Sequence, residues 1–210
     1  MTKGLQRAGF HVTGVDIEPQ PNYCGDVFVQ ADALSFDLSG FDLVCVSPPC
    51  QKNLHGLNAV NVARGRTLRH ADLIAPFRAR LVASGLPYII ENIVGAPFHN
   101  PVMLCGTSFG LPVRRHRLFE SNLLLLTPPC DHARFSEPKY PTNYRPGGRI
   151  VLSTVVQVYG NTAGSHLWPE ALGIDWMSRE ELMQAIPPVY GEHFGRQVMA
   201  YLEARAERAA

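Results

Sequence analysis

The chain has 210 residues, 46% of them hydrophobic and 18% charged, with a formal net charge of +1. That supports one domain with a small inserted lobe, and it excludes a globally basic nucleic-acid binder, so any positive surface must be local. No long apolar run marks a membrane span, "MTKGLQRAGF" lacks a signal-peptide core, and five dispersed cysteines make no disulfide framework; a reducing cytoplasm is the expected setting.

"TKGLQRAGF" predicts a short helix closed by Gly9. "HVTGVDI" predicts a strand ending at Asp16, and "VFVQADAL" a second ending near Asp32. "FDLVCV" is a continuous apolar strand, the pattern of a sheet covered on both faces. It runs into Pro48, Pro49, Cys50 and Gln51. "RHADLIAPFRARLVASG" places Leu73, Phe77, Leu81 and Val82 on one helical face, with Gly85 as the stop. "LPYIIEN" is a further strand, carrying Glu91 and Asn92 at its end. The alternation predicts a mostly parallel α/β sheet, whose ligands sit beyond the carboxyl ends of the strands, where Asp16, Asp32, Cys50 and Glu91 fall.

"RRHRLFES" reads as a basic strand. Residues 122–150 are rich in proline, glycine, tyrosine and arginine, with no period, and read as an irregular lobe. "IVLSTVVQVYG" resumes strand pattern, and "SREELMQA" carries a capping box, Ser178 with Glu181. "PPVYGEHFGRQVMAYLEARAER" is a helix with Tyr190, Phe194, Val198 and Tyr201 as a core stripe. The expected organisation is a core over 1–121, a lobe over 122–150 and a return to the core over 151–210. Cys24, Cys45 and Cys105 read as inert packed thiols. Cys130 and His132 in "PPCDH" are the one Cys/His pair near metal spacing, and two ligands do not make a zinc site, so no metal is expected.

Cys50 differs from the other cysteines because two prolines stiffen its approach at a strand end. A thiolate and a carboxylic acid in one pocket suit conjugate addition to an electron-poor ring: sulfur adds to carbon while the acid serves the ring nitrogen. The bland alternatives are strand-end turn residues for Asp16 and Asp32, a solvated strand charge for Arg115 and a surface acid for Glu91.

"SPPCQ", "ENI", "RRHR" before "LFES", and "AIPPVYGEHFG", in this order, resemble the cytosine-C5 DNA methyltransferases, with "GVDIEP" and "QADAL" similar to the family's adenosine-binding segments. The resemblance implies a Rossmann-like class I S-adenosylmethionine-dependent fold with a small target-recognition insertion. It implies that Cys50 attacks C6 of a flipped cytosine, that Glu91 engages N3 and the exocyclic amine beside Asn92, and that Arg115 and Arg117 are the paired arginines, the second near O2. Asp16 would hold the ribose, Ile17 the adenine face, Asp32 the adenine amine, and Pro48 would line the S-adenosylmethionine pocket.

Double-stranded DNA would be the partner of a monomeric enzyme. Gln51, Lys52, Arg64, Arg66 and Arg69, in an expected mobile loop, would contact it, and Arg134 and Arg145 of the lobe would read a few base pairs. The pattern also departs from the family: its opening strand and Phe-x-Gly-x-Gly-Gly loop have no counterpart, and Val113 stands where a glutamine is usual. A DNA-binding relative without turnover and an enzyme of free pyrimidine nucleotides remain alternatives.

Overall fold

The computed structural model describes residues 1–49, 73–144, 150–160 and 162–209. Cys50, Gln51, Lys52, Arg64, Arg66, Arg69 and Arg145 lie outside them. The fold is mixed α/β with three small sheets, in two compact units. One unit comprises Met1–Ala33, Leu104–His116 and Thr127–Ala210; the other comprises Leu34–Met103 and Arg117–Leu126. This division differs from the expected core, lobe and return, because the stretch from Leu104 to Leu126 is shared between the units.

In the first unit, helix α1 (Thr2–Arg7) lies on the long C-terminal helix, with Gly4 against the Pro188 carbonyl and Gly191 against the Met1 carbonyl. A Cβ at either glycine would strike backbone, so the close approach requires both. Strands β1 (Thr13–Asp16) and β2 (Val27–Gln30) pair in parallel, Asp16 opposite Gln30.

In the second unit, β3 (Val44–Val46) is followed by α2 (Ile74–Ser84), β4 (Tyr88–Asn92), β5 (Val102–Leu104) and β6 (Arg117–Ser121). The sheet order is β3-β4-β6-β5, with β3 parallel to β4 and β6 antiparallel to it. The sheets are therefore mixed rather than mostly parallel. Every residue of β4 is buried, and Leu81 of α2 packs on Tyr88 and Ile90. Phe77 and Leu81 are buried as expected, whereas Val82 is 62% exposed: it sits one residue, about 100° of helical turn, beyond Leu81. Gly85 closes α2 at φ 68°.

Back in the first unit, β7 (Tyr140–Tyr144) and β8 (Ile150–Ser153) form an antiparallel pair. The expected irregular lobe thus contains a strand; Pro141 and the shifted register hide its period from the sequence. Helices α3 (Trp168–Leu172), α4 (Arg179–Gln184) and α5 (Pro188–Ala209) follow. The Ser178–Glu181 capping box forms at α4, and Asn22 donates to the same Glu181 carboxylate at 2.8 Å. Tyr190, Phe194 and Val198 are fully buried, but Tyr201, at 43% exposure, leaves the stripe for solvent. Among the described residues no helix is long and apolar enough to cross a membrane.

Candidate functional site

Strand β4 places an acid and an amide where neither can be solvated: Glu91 is 8% exposed and Asn92 2%. Buried groups of this kind must be paired. Arg117 Nε lies 3.0 Å from Glu91 Oε1, and the two form an ion pair. The register sets Glu91 opposite Phe119, so Arg117 reaches it from the diagonal position on the same face. Asn92 Nδ2 donates to the Pro48 carbonyl at 3.0 Å, and its Oδ1 accepts the Ile93 N–H at 2.9 Å. Parallel pairing of Val46 with Ile90, continued two residues, brings Pro48 beside Asn92. The buried Pro48 is two residues before Cys50 in the sequence.

Of the residues expected at the reacting centre, Glu91, Asn92 and Arg117 therefore come together in one unit, with Pro48, which was expected to line the cofactor pocket. The arrangement holds a carboxyl in a buried position with a cationic donor beside it and ties it to the approach of a cysteine. Cys45, the other thiol of this stretch, is pushed up to about 12 by burial and stays a neutral thiol, as its packed-strand reading requires.

No family model, curated protein or solved structure matches this chain.

Asp16 and Asp32 lie at the carboxyl ends of the other unit's parallel pair. Ala31 N–H donates to the Asp16 carbonyl at 3.0 Å, and Gln30 Nε2 to the Ile17 carbonyl at 3.0 Å, which ties the two strand ends together. Asp16 Oδ1 also accepts the Glu18 N–H at 2.9 Å, a turn contact that the bland reading anticipates. Ile17 is 63% exposed beside it, an apolar surface next to carboxylates.

Arg115 departs from the reacting-centre expectation. Its guanidinium donates to the carbonyls of Ala185 (Nε, 2.9 Å), Val158 (Nη1, 3.0 Å) and Met183 (Nη2). Two of these close the C-terminal end of α4, where carbonyls lack helical donors and a cation is favourable. Arg115 itself sits at φ 42°, and the fully buried Tyr190 hydroxyl donates to its carbonyl at 3.0 Å, which holds the left-handed turn. Arg134 is exposed; its N–H bonds Asp131 Oδ1 at 3.2 Å, and its guanidinium lies over Gly110.

A second cluster was not anticipated. Cys105 and His116 join Cys130 and His132, with their ligating atoms all within 4.8 Å of one another. Contacts within it span 14 to 27 residues, so no short motif betrays the set; the available signal was Cys130-x-His132 alone.

Proposed function

We propose that the chain carries the catalytic core of a DNA cytosine-C5 methyltransferase. The observation that carries this reading is the buried Glu91, paired with Arg117, on a strand whose next residue holds the Pro48 carbonyl two residues before Cys50. The Cys50 thiolate would add to C6 of an extruded cytosine, while Glu91 hydrogen-bonds at N3 and draws the negative charge onto the ring. Arg117 would orient Glu91 and meet O2. After C5 has been alkylated and has lost its proton to a base, the C6–S bond breaks and Cys50 leaves as thiolate.

S-adenosylmethionine, when bound, supplies an electrophilic methyl group. Exposed Ile17 beside Asp16, with Asp32 at the neighbouring strand end, fits its adenosine half. Two parallel strand pairs, β1-β2 in one unit and β3-β4 in the other, are compatible with the α/β fold this reading needs.

The commitment of Arg115 to three carbonyls favours a second reading: a DNA-binding relative without turnover. Incubation with S-adenosylmethionine and a duplex carrying 5-fluorocytosine separates the two. The fluorine blocks the final elimination, so turnover ends in a covalent adduct that Cys50→Ser abolishes. Duplex binding without adduct supports the second reading, and an adduct formed only with a mononucleotide supports a pyrimidine-nucleotide enzyme.

A further inference from the structure

We propose that Cys105, His116, Cys130 and His132 form a closed tetrahedral zinc site that fastens the irregular stretch after residue 127 to the segment between β5 and β6. The distances are those of a coordination sphere rather than of packed side chains. His116 Nε2 and His132 Nε2 are 3.3 Å apart; Cys105 Sγ lies 3.5 Å from His132 Nε2, and Cys130 Sγ 3.5 Å from His116 Nε2. Zinc bonds of about 2.0–2.1 Å to nitrogen and about 2.3 Å to sulfur, at tetrahedral angles, give edges of about 3.3–3.4 Å between nitrogens and about 3.5–3.6 Å between nitrogen and sulfur. The three edges match, and each belongs to a different pair of ligands.

The donor chemistry selects the metal. Two thiolates and two imidazoles in a tetrahedron suit zinc; magnesium and calcium take oxygen ligands. All four positions are filled by protein, the arrangement of a structural rather than a catalytic ion. The Thr107 hydroxyl lies 3.0 Å from Cys105 Sγ and can donate to a thiolate there.

The fold gives the ion a task. Residues 123–139 contain no helix or strand. Ordering such a stretch costs backbone entropy, which a metal clip at Cys130 and His132 would offset locally. The site stands on its four ligands and is independent of the methyltransferase reading.

The test uses the whole chain, purified with a non-chelating reductant from zinc-supplemented medium. One zinc per chain should survive gel filtration and be measured by elemental analysis. Cobalt substitution should give the intense visible bands of a four-coordinate ion with sulfur charge transfer. Cys130→Ser, at an exposed position, should lower bound zinc at least tenfold. His132→Cys, which keeps four ligands, should retain zinc and strengthen the charge-transfer band. Zinc-free wild-type protein, zinc unchanged in Cys130→Ser, a six-coordinate cobalt spectrum, or a Cys105–Cys130 disulfide in the reduced preparation would each overturn the proposal.

Discussion

Two buried glutamates on adjacent strands carry opposite assignments. Glu120 on β6 faces the side of the sheet bearing Ile90, the side covered by α2, because Ile90 and Glu120 are directly paired. It accepts Arg78 Nε at 2.6 Å and the His99 N–H and Arg78 Nη2 at 2.7 and 2.8 Å. Glu91 on β4, one residue along, faces the other side, and the Arg117 ion pair engages its Oε1. An acid with donors on both oxygens under a helix serves the fold. Glu91, also buried, is paired through Oε1 with Arg117, and under the proposed function it serves a ligand instead. Burial alone does not distinguish them; the donor set does.

The sharpest way to break this comparison is to alter one partner of each ion pair. Glu91→Gln keeps its size and can still face Arg117; methyl transfer should fall by about 10²–10⁴-fold, with the thermal midpoint near wild type. Equal activity would place Glu91 with Glu120 as a fold residue. Arg78→Leu acts on the other side. It strands a buried carboxylate and should cost about 3–5 kcal/mol in urea unfolding, leaving turnover per folded molecule unchanged.

Arg115 tests whether a candidate arginine belongs with the fold. Arg115→Ala leaves the end of α4 without its donors and should cost about 2 kcal/mol, read by the same unfolding curves. An activity loss with unchanged stability would return it to the reacting centre. pH tests the fold role of Glu120 further. Burial alone would raise Glu120, but the Arg78 hydrogen bonds, the His99 N–H and the Arg78 charge outweigh it and hold the carboxyl below its ordinary value. Its stabilisation is therefore complete above the ordinary glutamate range and is lost as pH falls through the lowered folded value. The stability gap between wild type and Glu120→Gln should be flat near neutrality and shrink in acid. Ser178→Ala, at the α4 cap, should cost about 1 kcal/mol without altering turnover.

Much of this was legible in the sequence where a signal was local. The strand "YIIEN", the helix stop at Gly85 and the capping box at Ser178 depend on neighbours within a few residues, and each takes its expected form. Val82 and Tyr201 were misplaced because an apolar stripe states a period but not the width of the face that finds a partner. The strand Tyr140–Tyr144 was hidden by Pro141 and a register shift. Arg115 shows the deeper limit: its carbonyl partners are about seventy and more than forty residues away, and no motif encodes which arginine the main chain will claim. The Cys/His cluster was half visible for the same reason, since two ligands were adjacent in sequence and two were brought in by the fold.

The central claim is that Glu91 and the thiol beyond Pro48 act together on a pyrimidine ring. The most direct measurement is tritium release to water from duplex DNA labelled at cytosine C5, without methyl donor. Addition of Cys50 to C6 lets C5 take a solvent proton and lose the label on elimination. The account predicts release by the wild type and by Ser178→Ala, and none above background by Cys50→Ser or Glu91→Gln. Release by Glu91→Gln at the wild-type rate, or none by the wild type, would contradict it.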